Sequence, residues 1–301
     1  MIAAMRWYFS MNLRHLIELI ALAAIWGGSF LLMRVSAPEL GPIPLITLRT
    51  AIGFITLLPF LLHMKKQHQV RQYAWPIFVV GITNTALPFV LFAFATLSLS
   101  AGMTSVVNSI APIFTAFIAY VWLHERLNTY QSFGLLLGVV GVAVLFASKG
   151  SLTFDNTAMA LFAALGATLM YGFAACFTRL NLQGVSSLAI AAGSQLFATL
   201  VLIPVAIPLW PEQAISLQSW LAIIILGVVC TALAYILYFR LLAQLGPAKA
   251  ISVTYLIPVF GIGWGMLLLD ERVSIWMAIG AGLILIGVGL THRKSKPNKS
   301  Q

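Results

Sequence analysis

The stretch VNSIAPIFTAFIAYVWLHERLNTYQSFGLLLGVVGV, residues 107–142, occurs a second time in diverged form as VTYLIPVFGIGWGMLLLDERVSIWMAIGAGLILIGV, residues 253–288. The two copies align without a gap at an offset of 146 positions. They share a proline inside an apolar segment, a Glu-Arg pair and two glycines of the segment that follows, Gly134 with Gly280 and Gly141 with Gly287. Duplicated membrane segments are typical of secondary transporters, in which the substrate site lies between two related halves.

The composition predicts that a lipid bilayer surrounds most of the chain. Of its 301 residues 61% are hydrophobic and 8% are charged, and the mean hydropathy is +0.99. The formal net charge of +10 comes mainly from short connectors and the C-terminal tail. Basic residues at these places meet anionic headgroups, so no nucleic-acid partner is expected. Two cysteines within apolar segments give no disulfide framework.

Charges and turn residues divide the chain into ten predicted spans, each close to the ~20 residues that cross the hydrocarbon. The predicted spans are residues 13–35, 43–62, 74–96, 100–122, 130–148, 156–178, 187–208, 216–239, 246–269 and 273–291. The uncharged run from Trp75 to Leu123 is about twice the length of one crossing, so it must turn back at residues 98–102. We interpret the first span as a retained helix rather than a cleaved signal peptide. Met1, Met5 and Met11 are alternative positions for the start of translation.

The basic residues predict cytoplasmic termini. With both termini inside, 13 Lys and Arg lie on the cytoplasmic side and 3 on the outer side, with Arg49 within a span. Each unit has five spans, which is an odd number, so the second unit enters the membrane in the inverted orientation. The predicted fold class is therefore an all-α integral membrane protein of ten transmembrane helices in two inverted five-helix repeats. The repeats cover residues 13–148 and 156–291, and a basic tail covers 292–301.

Several motifs make the chain similar to the drug/metabolite transporter superfamily, in particular its ten-span EamA family. They are Trp26-Gly27-Gly28-Ser29-Phe30, Leu48-Arg49, Pro112-x-Phe114 with Leu123-His124-Glu125-Arg126-Leu127, and Pro258-Val259-Phe260 with Leu269-Asp270-Glu271-Arg272-Val273. The resemblance implies a carrier of the bacterial inner membrane that works by alternating access, usually as an exporter. It does not name the cargo, because such families move amino acids, other metabolites, nucleotide precursors and drugs. His124 departs from the usual small or apolar residue.

Pro112 and Pro258 are candidate substrate-site residues because each removes one helical hydrogen bond. The freed carbonyls belong to Asn108 and Thr254, which correspond across the repeat. Polar groups on equivalent helices suit a polar cargo near the bilayer midplane. In the alternative interpretation, the prolines only kink helices for packing.

Arg49 and a set of amphipathic residues complete the predicted site. An arginine inside a span costs at least ~2.5 kcal/mol on insertion scales, so it faces protein or water. It could bind a carboxylate or phosphate of the cargo, or it could snorkel or bond backbone carbonyls. The other candidates share a polar group at span depth, and each could instead be packing. They are Trp26, Asn84, Tyr171, Gln195, Tyr235 and Tyr255.

Three acids are candidates for coupling or gating. Glu18 could exchange protons, although it lies close to Arg14 and the inner headgroups. Glu125 and Glu271 could change ion-pair partners between two states, or they could simply position short turns at the membrane surface.

The sequence predicts a secondary transporter that exports amino acids, related metabolites or drugs. Coupling of this export to protons is part of the hypothesis. Import or exchange of a metabolite is the first alternative, and an intramembrane enzyme or a channel is more remote. No Walker motif, metal-ligand spacing or acid cluster points to ATP, a metal or another cofactor. The glycines of spans five and ten permit close packing within one chain or in a homodimer, so a monomer and a dimer both stay open.

Overall fold

The computed structural model of the chain describes residues 12–147, 156–246, 250 and 253–291. All regular elements within these ranges are helices, which confirms the all-α class for the described part of the chain. The predicted basic tail at 292–301 lies outside the described residues, as does the connector between the two predicted repeats.

Six helices lie in the described part of the first half. They are α1 (Leu13–Leu40), α2 (Pro42–His63), α3 (Gln67–Gln72), α4 (Ala74–Ser98), α5 (Ala101–Trp122) and α6 (Thr129–Ala147). A π-helical segment, Gly81–Ala86, lies within α4. In α5 the α-helical conformation is interrupted after Asn108 and resumes at Ala111.

Five helices form the second half. They are α7 (Asn156–Asn181), α8 (Ser187–Ala206), α9 (Leu217–Leu245), α10 (Val253–Leu269) and α11 (Ile275–Thr291). A π-helical segment, Val228–Leu233, lies within α9. It occupies nearly the same place in its half as Gly81–Ala86 does in the first half.

Seven of the described helices are long and apolar enough to cross a membrane. They are α1, α2, α4, α5, α7, α8 and α9, whereas α6, α10 and α11 are shorter apolar helices. Each predicted span falls on one of these ten helices, but the number of crossings itself stays a prediction. Helix α1 is longer than its predicted span, 13–35, and the short helix α3 was not predicted. The helix continues to Leu40, where Gly41 with φ 76° makes the turn and Pro42 begins α2.

Serine side chains fix two of the helix starts. Ser100 Oγ accepts a hydrogen bond from Met103 N at 3.0 Å, and Ser216 Oγ accepts one from Ser219 N at 3.2 Å. The Glu39 carboxylate accepts from both the backbone N and the hydroxyl of Ser216, each at 2.8 Å. These bonds join the end of α1 to the start of α9.

Two of the helix crossings between the halves occupy corresponding places in the sequence repeat. At the crossing of α1 and α10, a Cβ on Gly27 would lie 2.8 Å from Phe260 Cβ. At the crossing of α7 and α5, a Cβ on Gly172 would lie 3.1 Å from Phe114 Cβ. Gly27 corresponds to Gly172 at an offset of 145, and Phe114 to Phe260 at 146. Only glycine permits backbones to approach this closely.

The glycines of α6 and α11 pack against each other within the chain. A Cβ on Gly287 would lie 2.7 Å from the carbonyl oxygen of Gly134, and one on Gly141 would lie 3.0 Å from that of Gly280. The glycines therefore permit close packing of two helices of the same chain.

Candidate functional site

A cavity of about 590 Å³ lies between the two halves. Its volume is within the range of small-molecule sites. Helices α1, α2, α4, α5, α7, α9 and α10 contribute to its wall, together with the end of α11. Eight predicted substrate-site residues lie on this wall: Trp26, Arg49, Asn84, Asn108, Pro112, Tyr171, Tyr235 and Thr254.

Aromatic rings make much of the wall. Trp26 lies 5.4 Å from the ring of Tyr238, and Phe92 lies 5.6 Å from Phe30 and 5.8 Å from Tyr171, measured between ring centroids. These pairs link α1 with α9 and α4 with α7, so residues of both halves face the same space. The cavity is therefore mainly apolar, with a few polar groups that could orient a cargo.

The π-helical segments contribute corresponding residues to the wall. Asn84 lies in the segment of α4 and Cys230 in that of α9, at the repeat offset of 146. A π-turn widens the helix by one residue and leaves some backbone groups without the regular partner. Such segments are frequent at functional sites.

Pro112 and Pro258 have different local effects. Pro112 begins the second part of α5, and Asn108 ends the first part, so both flank the interruption and reach the cavity. Pro258 lies in the continuous helix α10, where it is buried away from the cavity wall. Thr254, one turn earlier, does reach the wall.

Two further candidates also lie away from the cavity wall. Gln195 on α8 is fully buried, and neither its Oε1 nor its Nε2 has a hydrogen-bond partner within the described residues. The Tyr255 hydroxyl donates to the carbonyl oxygen of Val288 at 3.2 Å, which joins α10 to α11.

Arg49 is buried on α2, with 4% of its surface exposed, and it lies on the cavity wall. Its Nε donates to Thr231 Oγ1 at 3.1 Å, and its Nη1 lies 3.6 Å from Met33 Sδ. The guanidinium carbon lies 4.0 Å from the centre of the Phe89 ring, in a cation–π arrangement. The side chain therefore does not snorkel to the membrane surface, because protein groups hold it inside.

Glu271 and Arg34 lie beside each other, and neither belongs to the wall of the cavity; both line a separate depression. The two side chains form an ion pair at 3.2 Å. Arg34 Nη1 also donates to the carbonyl oxygens of Thr96 and Leu99, at 2.7 and 2.8 Å. Glu271 accepts from the backbone N of Ala101 and Gly102 at 2.8 and 3.2 Å, which caps α5. We call this group of bonds the Arg34–Glu271 cluster; it joins α1, α4 and α5 to the end of α10.

A second such pair, Glu125 with Arg179, does lie on the cavity wall. These two residues correspond to Glu271 and Arg34 across the repeat. Both lie on the cavity wall, and their side chains are 48% and 56% exposed, against 12% and 34% for Glu271 and Arg34. Within the described residues Arg179 donates no side-chain bond to the carbonyls of Leu242 and Leu245, the equivalents of Thr96 and Leu99. The cavity therefore opens at the Glu125 end.

Glu18 lies outside the cavity. Its Oε1 is 3.2 Å from both Arg14 Nε and Arg240 Nη2, so it ties the start of α1 to α9.

Sequence reasoning missed several residues of the wall. Nothing in the sequence indicates that the apolar residues Phe30, Met33, Phe89 and Phe92 lie on the cavity wall. One apolar residue among many does not reveal which face of its helix it occupies. Tyr238 follows Tyr235 by three positions and so shares its helix face, a signal that could have found it. Arg179 could have been found as the repeat equivalent of Arg34. In the described part of the chain no three His, Cys, Asp or Glu side chains gather as a metal site.

A model of the EamA-like transporter family matches the chain over residues 14–147 and again over 158–293. An uncharacterized transporter of Bacillus subtilis (strain 168), YoaV, is 25% identical, with 91% of this chain and 94% of the relative covered. A protein of Escherichia coli (strain K12) named as a probable amino-acid metabolite efflux pump is 26% identical, with coverage of 90% and 94%. These names describe transporters rather than enzymes.

Two further comparisons concern cargo and fold. A protein of Streptantibioticus cattleyicolor named as a probable terminal-alkyne amino-acid exporter is 24% identical, with 71% of this chain and 72% of the relative covered. A crystal structure of another protein superposes with a TM-score of 0.67 at 18% identity, covering 93% of this chain and 97% of that one. At this identity the superposition supports the fold alone.

Proposed function

Because the chain belongs to the EamA-like transporter family, we propose that it is a secondary transporter that exports amino acids or related small metabolites through its central cavity. The observation that carries the proposal is the cavity of about 590 Å³ whose wall takes residues from both halves. A carrier needs such a site between two bodies that can move relative to each other. The names of the Escherichia coli and Streptantibioticus relatives support amino-acid-like cargo and outward transport.

Alternating access would follow from the two corresponding Arg–Glu pairs. In the state described, the Arg34–Glu271 cluster would hold one end closed, while Arg179 has Glu125 as its ion-pair partner among the described residues, at the open end. In the opposite state, Arg179 would donate to the carbonyls of Leu242 and Leu245, and Arg34 would release Thr96 and Leu99. This exchange converts one state into the other without new kinds of contact.

The distribution of basic residues supports the orientation. Cytoplasmic termini place Glu125 and Arg179 at the cytoplasmic face and Glu271 at the outer face. The described state would then be open to the cytoplasm and ready to load an exported cargo. In a bacterium this membrane would be the inner membrane.

Counterflow in proteoliposomes tests the carrier proposal. Vesicles preloaded with unlabelled L-leucine should take up labelled L-leucine faster than empty vesicles, and the rate should saturate. Asn108→Ala on the cavity wall should lower this uptake, whereas Asn181→Ala at the exposed end of α7 should retain it. Uptake without saturation or without stimulation by internal L-leucine would contradict a carrier.

Cells that overexpress the chain test the direction. Their medium should accumulate amino acids or related metabolites relative to cells that express Asn108→Ala. Accumulation inside the cells instead would favour import.

A further inference from the structure

Arg49 has no acidic partner in the described part of the chain. Its contacts there are the Thr231 hydroxyl, the Met33 sulfur and the Phe89 ring, and none of them is an anion. The ion pairs found within these ranges are Arg14–Glu18, Arg240–Glu18, Arg34–Glu271 and Arg179–Glu125. A guanidinium stays protonated in proteins, so the buried wall carries a permanent positive charge.

This charge is incompletely satisfied. A guanidinium has five N–H donors, and among the described residues only Nε has an oxygen acceptor, Thr231 Oγ1. While the cavity is open, water can reach the other donors. When the cavity closes around a cargo, that water is displaced, and an unpaired buried charge becomes costly. An anionic group on the cargo would remove this cost, because a carboxylate accepts two parallel bonds from one guanidinium.

We propose that Arg49 binds a carboxylate of the cargo, so that the transported molecules are organic carboxylates with an apolar body. This inference rests on the proposed role of the cavity as the cargo site. Phe89 beside Arg49, and the paired rings of Phe92 and Tyr171 on the same cavity wall, would surround the apolar body. Amino acids belong to this class because each carries the required carboxylate.

The same arrangement selects against cations. At the open end the Glu125 carboxylate is already paired with Arg179, so it offers little charge to a cation. Deeper in the cavity, a cationic drug would meet Arg49 in surroundings of low polarity, where like charges repel strongly. Among the cargo classes that the sequence suggests, cationic drugs therefore fit the cavity poorly.

Thermal unfolding of the purified full-length protein in lipid nanodiscs tests the inference with two matched pairs of probes. L-Leucine and 4-methylpentanoate carry a carboxylate, and L-leucinamide and 4-methylpentanamide replace it by an amide. The acids should raise the unfolding temperature of the wild type, and the amides should not. In Arg49→Gln the apparent affinity for the acids should fall by about tenfold or more. Arg71→Gln on the exposed part of α3 is the matched control and should bind as the wild type does.

The comparison of acid with amide in the wild type needs no variant, so it decides the matter even if Arg49→Gln fails to fold. Equal stabilisation by acids and amides, or none by either acid, would overturn the inference. Counterflow separates this failure from failure of the proposed function. Saturable counterflow of L-leucinamide as fast as that of L-leucine would leave the carrier in place and reject the carboxylate site. Absence of any counterflow would reject the carrier itself.

Discussion

Thr231 makes two hydrogen bonds through one oxygen atom. Its hydroxyl donates to the carbonyl oxygen of Leu226 at 2.8 Å, and the same oxygen accepts from Arg49 Nε at 3.1 Å. The bond to Leu226 reaches back five residues, and Thr231 lies in the π-helical segment of α9. The hydroxyl hydrogen is thus directed away from Arg49, and a lone pair faces the guanidinium. We infer that Thr231 positions Arg49 rather than binding cargo itself.

Thr231→Val keeps the shape of the side chain and removes the acceptor for Arg49. Apparent affinity for L-leucine should fall by about 3- to 10-fold, because one hydrogen bond to a charged group is lost. Thr231→Ser restores the oxygen and should restore most of the affinity. The ratio of L-leucine to L-leucinamide affinity is the decisive measurement. If Thr231→Val weakens both ligands equally, Thr231 has only a structural role.

Single residues also show how far sequence alone reaches. Arg49 stands out because a charge inside an apolar span needs an explanation. Gln195 and Tyr255 gave a similar signal but lie away from the cavity wall. A helix that is apolar on all sides does not reveal which side faces a neighbour and which faces the cavity. The rotation of each helix, and hence the membership of the site, comes from packing between helices.

At the scale of elements, the crossing of α1 and α10 depends on the missing side chain of Gly27. A methyl group there would lie 2.8 Å from Phe260 Cβ and 2.9 Å from the backbone N of Gly261. Backbone atoms of a packed helix cannot move aside individually, so the helices would have to separate. The adjacent Gly28 differs, because its nearest neighbour would be the Trp264 ring at 3.6 Å, an ordinary contact.

Gly27→Ala should therefore destabilise the protein by about 1–3 kcal/mol through overpacking. Gly28→Ala should change stability much less, and it is the matched control. Unfolding of both variants in mixed micelles of increasing SDS content measures the difference. Equal stability of the two variants would show that the crossing at Gly27 is not as close as described.

Ten apolar segments, each of which falls on a helix of the described residues, were predictable from hydropathy and charge, because a bilayer requires long uncharged stretches. The two π-helical segments and the interruption of α5 at residues 109–110 were not. Pro112 marked the interruption, but Pro258 leaves α10 continuous, so proline alone does not decide the outcome. No single residue type marks a π-turn.

At the scale of the whole molecule, the Arg34–Glu271 pair makes more bonds to its surroundings than the corresponding Arg179–Glu125 pair does within the described residues. Glu271→Gln removes the charge that pairs with Arg34 while keeping a side chain of similar size. This should shift the population away from the state that is open at the Glu125 end. A cysteine at Ala175, an exposed residue of the cavity wall, reports that state. Its labelling by a maleimide should slow by about 2- to 5-fold, as expected for loss of a partly exposed ion pair.

Glu125→Gln is the matched control for this shift. It alters the corresponding pair at the open end and should not slow the labelling. Equal slowing in both variants would show that the two ends are not in different states.

The most direct test asks from which side of the membrane two positions can be reached. Ala175→Cys lies on the cavity wall, and Leu97→Cys lies in a separate depression beside the Arg34–Glu271 cluster. Cys176 and Cys230 are first replaced by Ala, and counterflow is verified in that background. A membrane-impermeant maleimide should label Ala175→Cys from the cytoplasmic side and Leu97→Cys from the outer side. Labelling of both cysteines from the same side would contradict a cavity that lies between two inverted halves and opens to one side at a time.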